Sequence, residues 1–217
     1  MPRAAPRIYV LAGVNGAGKS SVGGATFRAA GADYFNPDEA AARLRQAHPG
    51  LDAATANAAG WHQGRAMLER AIAGRLDFAF ETTLGGATMP RLLAEAAAQG
   101  FQVRVWYAGL DTVERHIRRV RARVARGGHD IPEADIRRRF EHSRLNLVHL
   151  MPHLAALRVF DNSAEGDPAA GRVPRPRLLL HAERGRIRAP RDLSGTPAWA
   201  KPLVAAAMRI HAGKGSR

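Results

Sequence analysis

Cysteine is absent from the 217 residues, which excludes disulfides, thiolate nucleophiles and thiolate metal ligands. Lysine is almost absent: three copies, at 19, 201 and 214, stand against 30 arginines, so a lysine inside a motif is conspicuous. No stretch approaches the roughly 20 consecutive apolar residues that span a bilayer. The opening Met1-Pro2-Arg3-Ala4-Ala5-Pro6 lacks the apolar run of a secretory leader. A soluble, cytoplasmic protein is the expectation, with no membrane partner. Acids are few, 19 against 33 bases, for a net charge of +14. That excess would suit nucleic acid. Its form, arginine rather than lysine in an alanine- and glycine-rich chain, points instead to codon composition, and nucleic acid is the less favoured partner.

What is present begins with Gly13-Val14-Asn15-Gly16-Ala17-Gly18-Lys19-Ser20, which fits G-x-x-x-x-G-K-[ST] at every defined position. An apolar run, Ile8 to Ala12, precedes it as a strand, and a helix opens at its end. Glycines let successive N–H groups turn inward on phosphate oxygens, and the helix terminus adds a favourable dipole. Gly13, Asn15, Gly16, Ala17, Gly18, Lys19, Ser20 and Ser21 are therefore the candidate nucleotide contacts. Lys19 reaches the β/γ-phosphates of ATP, and the Ser20 hydroxyl ligates Mg²⁺.

Beyond the loop, apolar runs alternate with helical periods, the rhythm of a parallel sheet covered by helices. Strands are expected at about 7–14, 33–36, 77–80, 102–108 and 157–161. Helices are expected at about 19–29, 39–47, 52–74, 88–99, 112–126 and 133–150. One or two further strands fall within about 172–188 and a short helix near 198–211. The fold class is thus α/β, a P-loop NTPase of nucleotide-kinase type with a parallel five-stranded core sheet and an Arg-rich helical lid. Residues 1–188 form the domain; 189–217 are set apart as a tail, partly disordered.

Ligands of open α/β sheets gather at the carboxyl ends of strands. Asn36-Pro37-Asp38-Glu39, Glu81-Thr82-Thr83 and Asp161-Asn162-Ser163 stand there. Asp38 is either a first-turn acid favoured by the helix dipole or a base for a hydroxyl nucleophile. Glu81 is a Walker B-like acid acting on Mg²⁺ through water, a ligand for substrate hydroxyls, or a plain strand end. Val113, Ile117, Val120 and Val124 form one helical face, opposite a stripe of Arg115, Arg119, Arg123 and Arg126. Ten arginines and five acids fall between Glu114 and Arg144. With few acids at i,i+4 the stripe is expected to want an anionic partner. The Gly127-Gly128 break then leads to Arg137-Arg138-Arg139, a second basic helix, so the pair reads as a lid over transferring phosphates. His129 reads as a turn residue or lid contact.

Together, Gly13 to Ser20, Phe35-Asn36-Pro37-Asp38, Glu81-Thr82-Thr83-Leu84 and Arg119 through Pro132 to Phe140 resemble the zeta-toxin family of P-loop kinases, whose founding members phosphorylate UDP-N-acetylglucosamine. The resemblance implies Asp38 as general base for the sugar 3′-hydroxyl. It implies Asn36, Glu81, Thr82 and Thr83 as acceptor contacts, and Arg123 and Arg139 as clamps on ATP phosphates, with Arg119 beside the nucleotide. The implied activity is transfer of the γ-phosphoryl of ATP to a nucleotide sugar, and any neutralising antitoxin would be a separate chain. The same core also suits a polynucleotide kinase, an antibiotic phosphotransferase or an ATP-dependent nucleic-acid-binding switch.

Overall fold

A single mixed sheet with helices packed on it is what the alternating pattern builds. The computed structural model describes residues 4–24, 34–128, 130–165 and 175–214. The strands are β1 (Arg7–Ala12), β2 (Tyr34–Phe35), β3 (Phe78–Thr82), β4 (Gln102–Gly109), β5 (Ala156–Asp161), β6 (Arg177–Glu183) and β7 (Arg186–Ala189). The helices are α1 (Pro37–Ala47), α2 (Ala53–Gly74), α3 (Thr88–Ala98), α4 (Val113–Val124), α5 (Glu133–Leu150) and α6 (Lys201–Gly213). A π-helical turn, Ser20–Gly24, follows the glycine-rich loop. The remainder of the helix expected there, His129 and the side chain of Ser21 lie outside the described residues. No helix among the described residues is long and apolar enough to cross a membrane.

Strand order is β2-β3-β1-β4-β5-β6-β7. The five strands β1 to β5 are parallel, as the apolar runs require. The sheet as a whole is mixed, because β6 and β7 add antiparallel at the β5 edge. Arg184 and Gly185, both at positive φ, make the tight turn that joins β6 to β7, and such a turn connects only antiparallel neighbours. Ala12 aligns with both Thr82 and Tyr107, and Gly109 with Asp161, so the parallel strands end close together. The chain leaves β1 toward β2 and leaves β4 toward β5, on opposite sides. The glycine-rich loop therefore emerges at a switch point, where sheets of this class bind ligands.

The main core places Val10, Phe80, Val105 and Val159 under Leu68, Leu93, Leu147 and Leu203. A smaller cluster of Val14, Ile117, Val120, Ile131 and Ile136 ties the glycine-rich loop to α4 and α5. The stretch after 188 departs from the tail expected of it. Trp199, Leu203, Val204, Ala206 and Ala207 are buried in the main core. Trp199 lies on the backbone of Gly109, where a Cβ would come 2.3 Å from the indole. Proline and glycine punctuation obscured this segment, and its alanines give a weak apolar period.

Candidate active site

The glycine-rich loop holds Gly13, Gly16 and Gly18 at positive φ. Gly13 has no alternative: a Cβ there would sit 2.2 Å from the Ala108 carbonyl oxygen. Asn162, at the end of β5, donates through Nδ2 to the Ala17 carbonyl at 2.9 Å. Arg119 donates to the Asn162 carbonyl at 2.9 Å, so α4 and the β5 end brace the loop together. Burial, and then neighbouring Arg115, hold the Arg119 guanidinium below its ordinary value. His116 is buried, and its Nδ1 lies 2.8 Å from the Asn15 carbonyl. A carbonyl only accepts, so Nδ1 carries the proton. Burial pushes this imidazole down to about 4, and it is neutral at physiological pH.

Lys19 is buried, and Nζ donates to the Gly13 carbonyl at 2.9 Å. The same amine lies 3.3 Å from Glu81 Oε1. Glu81 Oε2 accepts from Tyr34 Oη at 2.7 Å and Asn36 Nδ2 at 3.2 Å. Asn36 in turn caps α1, its Oδ1 accepting from Asp38 N at 2.9 Å and Glu39 N at 3.4 Å. One carboxylate thus links the loop lysine to the turn that presents Asp38. α1 is drawn against α2 because Gly60 leaves room for it: a Cβ there would meet the Pro37 carbonyl oxygen at 2.6 Å.

Asp38 Oδ2 faces Arg123 Nη1 at 3.8 Å, with both side chains more than a third exposed. Of the three consecutive arginines on α5, Arg139 is the one at the loop. It donates to Asn15 Oδ1 at 2.8 Å and lies 3.3 Å from Asp135. Arg138 pairs with Asp135, and Arg137 turns away to Glu133 and Glu114. Arg115 of the α4 stripe, and Arg118 and Arg121 beside it, are better neutralised than sequence spacing suggests. Arg115 pairs with Asp111 and Glu165, Arg118 with Glu165 and Arg121 with Glu133. Those acids come from flanking loops and from α5, which a count within one helix misses.

A cavity of about 390 Å³ is walled by Lys19, Asn36, Asp38, Glu81, Thr82, Thr83 and Arg139, together with Asn15. Trp61 from α2, Asp130 and Asp135 complete parts of the wall, and sequence reasoning did not single them out. Tyr34 and His116 were missed as well. His116 left one trace, a polar residue at the margin of an apolar helical face. Thr82 and Thr83 hydroxyls accept from the Leu84 and Gly85 amides at 3.1 and 3.3 Å, so each keeps its own proton to donate. Among the described residues no three His, Cys, Asp or Glu gather as a metal cluster. Ser20 and Glu81 are oxygen donors of the kind Mg²⁺ takes, and that ion is commonly shared with substrate phosphates rather than caged by protein.

A glycine-rich loop with its buried lysine at the switch point, an acid-lined cavity beside it and arginines from two helices around it define an ATP-dependent P-loop kinase. The family described as Zeta toxin matches residues 1–165, and the chain belongs to that family. A Haemophilus influenzae protein described as uncharacterized is 30% identical over 132 residues, 59% of this chain and 88% of that one. The AvrRxo1-ORF1:-ORF2 crystal structure with ATP matches the fold with a TM-score of 0.66 at 14% identity. That match covers 93% of this chain, which spans 63% of the other. A structure from the PezAT chromosomal toxin-antitoxin system of Streptococcus pneumoniae matches with a TM-score of 0.54 at 12% identity, over 80% of this chain and 75% of that one.

Proposed function

We propose that the protein transfers the γ-phosphoryl of ATP to a hydroxyl of a small acceptor seated in the 390 Å³ cavity. The 3′-hydroxyl of UDP-N-acetylglucosamine or a related nucleotide sugar is the first acceptor to test, on the strength of the family. One observation carries the reading: the loop lysine, Asp38 and Glu81 line a single cavity beside Arg139. Asp38 takes the proton as the acceptor oxygen bonds to the γ-phosphorus, and ADP departs. Lys19 holds the phosphates, and Arg123 and Arg139 neutralise charge as it shifts to the leaving oxygen. Glu81, Asn36, Thr82 and Thr83 orient the acceptor. Ser20 would hold Mg²⁺, which when bound would supply further charge neutralisation.

The PezAT match supports a separate antitoxin chain as a partner. The net charge of +14 favours a second reading, a polynucleotide acceptor. Pairing of the α4 arginines with acids weighs against it. ADP release with Mg-ATP alone, with UDP-N-acetylglucosamine and with a single-stranded oligonucleotide separates the two. Stimulation by the nucleotide sugar is expected. Stimulation by the oligonucleotide alone, falling steeply with salt, would replace the acceptor.

A further inference from the structure

Helix α5 carries Arg139, Ser143 and Asn146 at i, i+4 and i+7, one stripe of the helix. Arg139 reaches the glycine-rich loop; the other two reach a different segment. Ser143 is fully buried, and its hydroxyl donates to the Thr83 carbonyl at 2.6 Å. Asn146 Nδ2 donates to the Leu84 carbonyl at 2.7 Å and to the Gly86 carbonyl at 3.2 Å. Three carbonyls of the segment that follows β3 are thus held from one helix. That segment contains Leu84 at φ +52°, a conformation that non-glycine residues seldom adopt. Such backbone persists only where its surroundings over-determine it.

Proton directions within the chain are fixed by the acceptors. Ser143 has one hydroxyl proton and gives it to Thr83, so Tyr107 Oη donates to Ser143 Oγ across 3.0 Å. Burial keeps that phenol protonated, pushing it up to about 12. Tyr107 therefore orients Ser143, whereas Ser143 and Asn146 touch the loop itself.

We propose that Ser143 and Asn146 are positioning residues for the acceptor. They hold the backbone of 83–86, and with it the inward presentation of the Thr82 and Thr83 hydroxyls, without touching the acceptor themselves. The inference rests on the reading of the cavity as the acceptor site. It adds a consequence: α5 fixes the nucleotide loop through Arg139 and the acceptor loop through Ser143 and Asn146, so one rigid element sets their spacing.

The test compares Asn146→Asp, which keeps the shape but loses both donated bonds, and Ser143→Ala with Tyr107→Phe, which leaves both loop contacts in place. Hydrogen exchange is read on the peptide covering 82–88, with the glycine-rich loop as internal reference. In Asn146→Asp and Ser143→Ala the Leu84 and Gly85 amides are expected to exchange about tenfold faster, with the reference unchanged. KM for UDP-N-acetylglucosamine is expected to rise about tenfold while KM for ATP stays constant. Tyr107→Phe, which removes only the bond that orients Ser143, should shift both far less than either loop-contact variant. Unchanged exchange at 84–85, or equal loosening of the reference, overturns the proposal. If the wild type shows no turnover with this sugar, the acceptor assignment fails, and the exchange result alone still decides the role of α5.

Discussion

Replacing Glu81 with glutamine removes the countercharge from a lysine that has almost no water around it. Lys19 Nζ lies 3.3 Å from Glu81 Oε1, with side chains 8% and 11% exposed. At an effective dielectric of about 20 the attraction at that separation is about 5 kcal/mol. Desolvation offsets part of it, and removing one partner from a buried pair costs about 3–5 kcal/mol. The glutamine oxygen still accepts from Tyr34, which places the cost near 3 kcal/mol. For a domain of this size that lowers Tm by roughly 6–12 °C.

ATP reverses the sign. Its phosphates need the same amine, and the wild type must give up the Glu81 contact to supply it. ATP without Mg²⁺ is therefore expected to bind Glu81→Gln about tenfold more tightly, a difference of about 1.4 kcal/mol. The ATP-induced rise in Tm should exceed that of wild type. Turnover with acceptor should fall, because the carboxylate that orients Asn36 and, on the proposed reading, the acceptor is gone. Titration calorimetry in EDTA decides the binding arm. Unchanged or weaker ATP affinity would refute the competition between carboxylate and phosphate.

Three further substitutions follow from the geometry. Gly13→Ala puts a Cβ 2.2 Å from the Ala108 carbonyl oxygen at φ +141° and should cost about 3 kcal/mol or more; a wild-type Tm would contradict this. His116 titrates near 4 when folded against 6.5 ordinarily, so the unfolded chain takes up the proton first as pH falls. Its stabilisation is complete above about pH 6.5 and drains away toward pH 4, roughly 3 kcal/mol in all. Urea unfolding across that window should be steeper in pH for wild type than for His116→Asn, and equal slopes would count against a buried neutral ring. Trp199→Ala should cost about 3–5 kcal/mol, measured by denaturant midpoint, whereas a true tail residue would cost nothing.

The parallel sheet and the glycine-rich loop were legible because both rest on local pattern. Apolar runs such as Phe78–Phe80 mark buried strands, and Gly13 to Ser20 meets a spacing imposed by phosphate geometry. Acids at strand ends were legible for the same reason, since Asp38 and Glu81 stand where such sheets collect ligands. What escaped depends on contacts distant in sequence. Arg121 meets Glu133 and Arg118 meets Glu165 only after the chain folds back. Tyr34 on Glu81 and His116 on the Asn15 carbonyl have the same character. The C-terminal helix was expected near 198–211, but its place in the core was obscured for another reason: alanine packs well yet adds little apolar signal. The choice of Arg139 over its neighbours lies in helical phase, since only that position of the three meets Asn15.

The central claim is that Asp38 deprotonates an acceptor hydroxyl in the cavity beside Lys19. The most direct measurement is ADP release from Mg-ATP with and without UDP-N-acetylglucosamine, wild type beside Asp38→Asn, with ATP affinity determined for both. Strong stimulation of the wild type is expected. In the variant kcat should fall at least about a hundredfold with ATP affinity nearly unchanged. Full stimulation retained in Asp38→Asn, or ATP binding lost along with turnover, would contradict it.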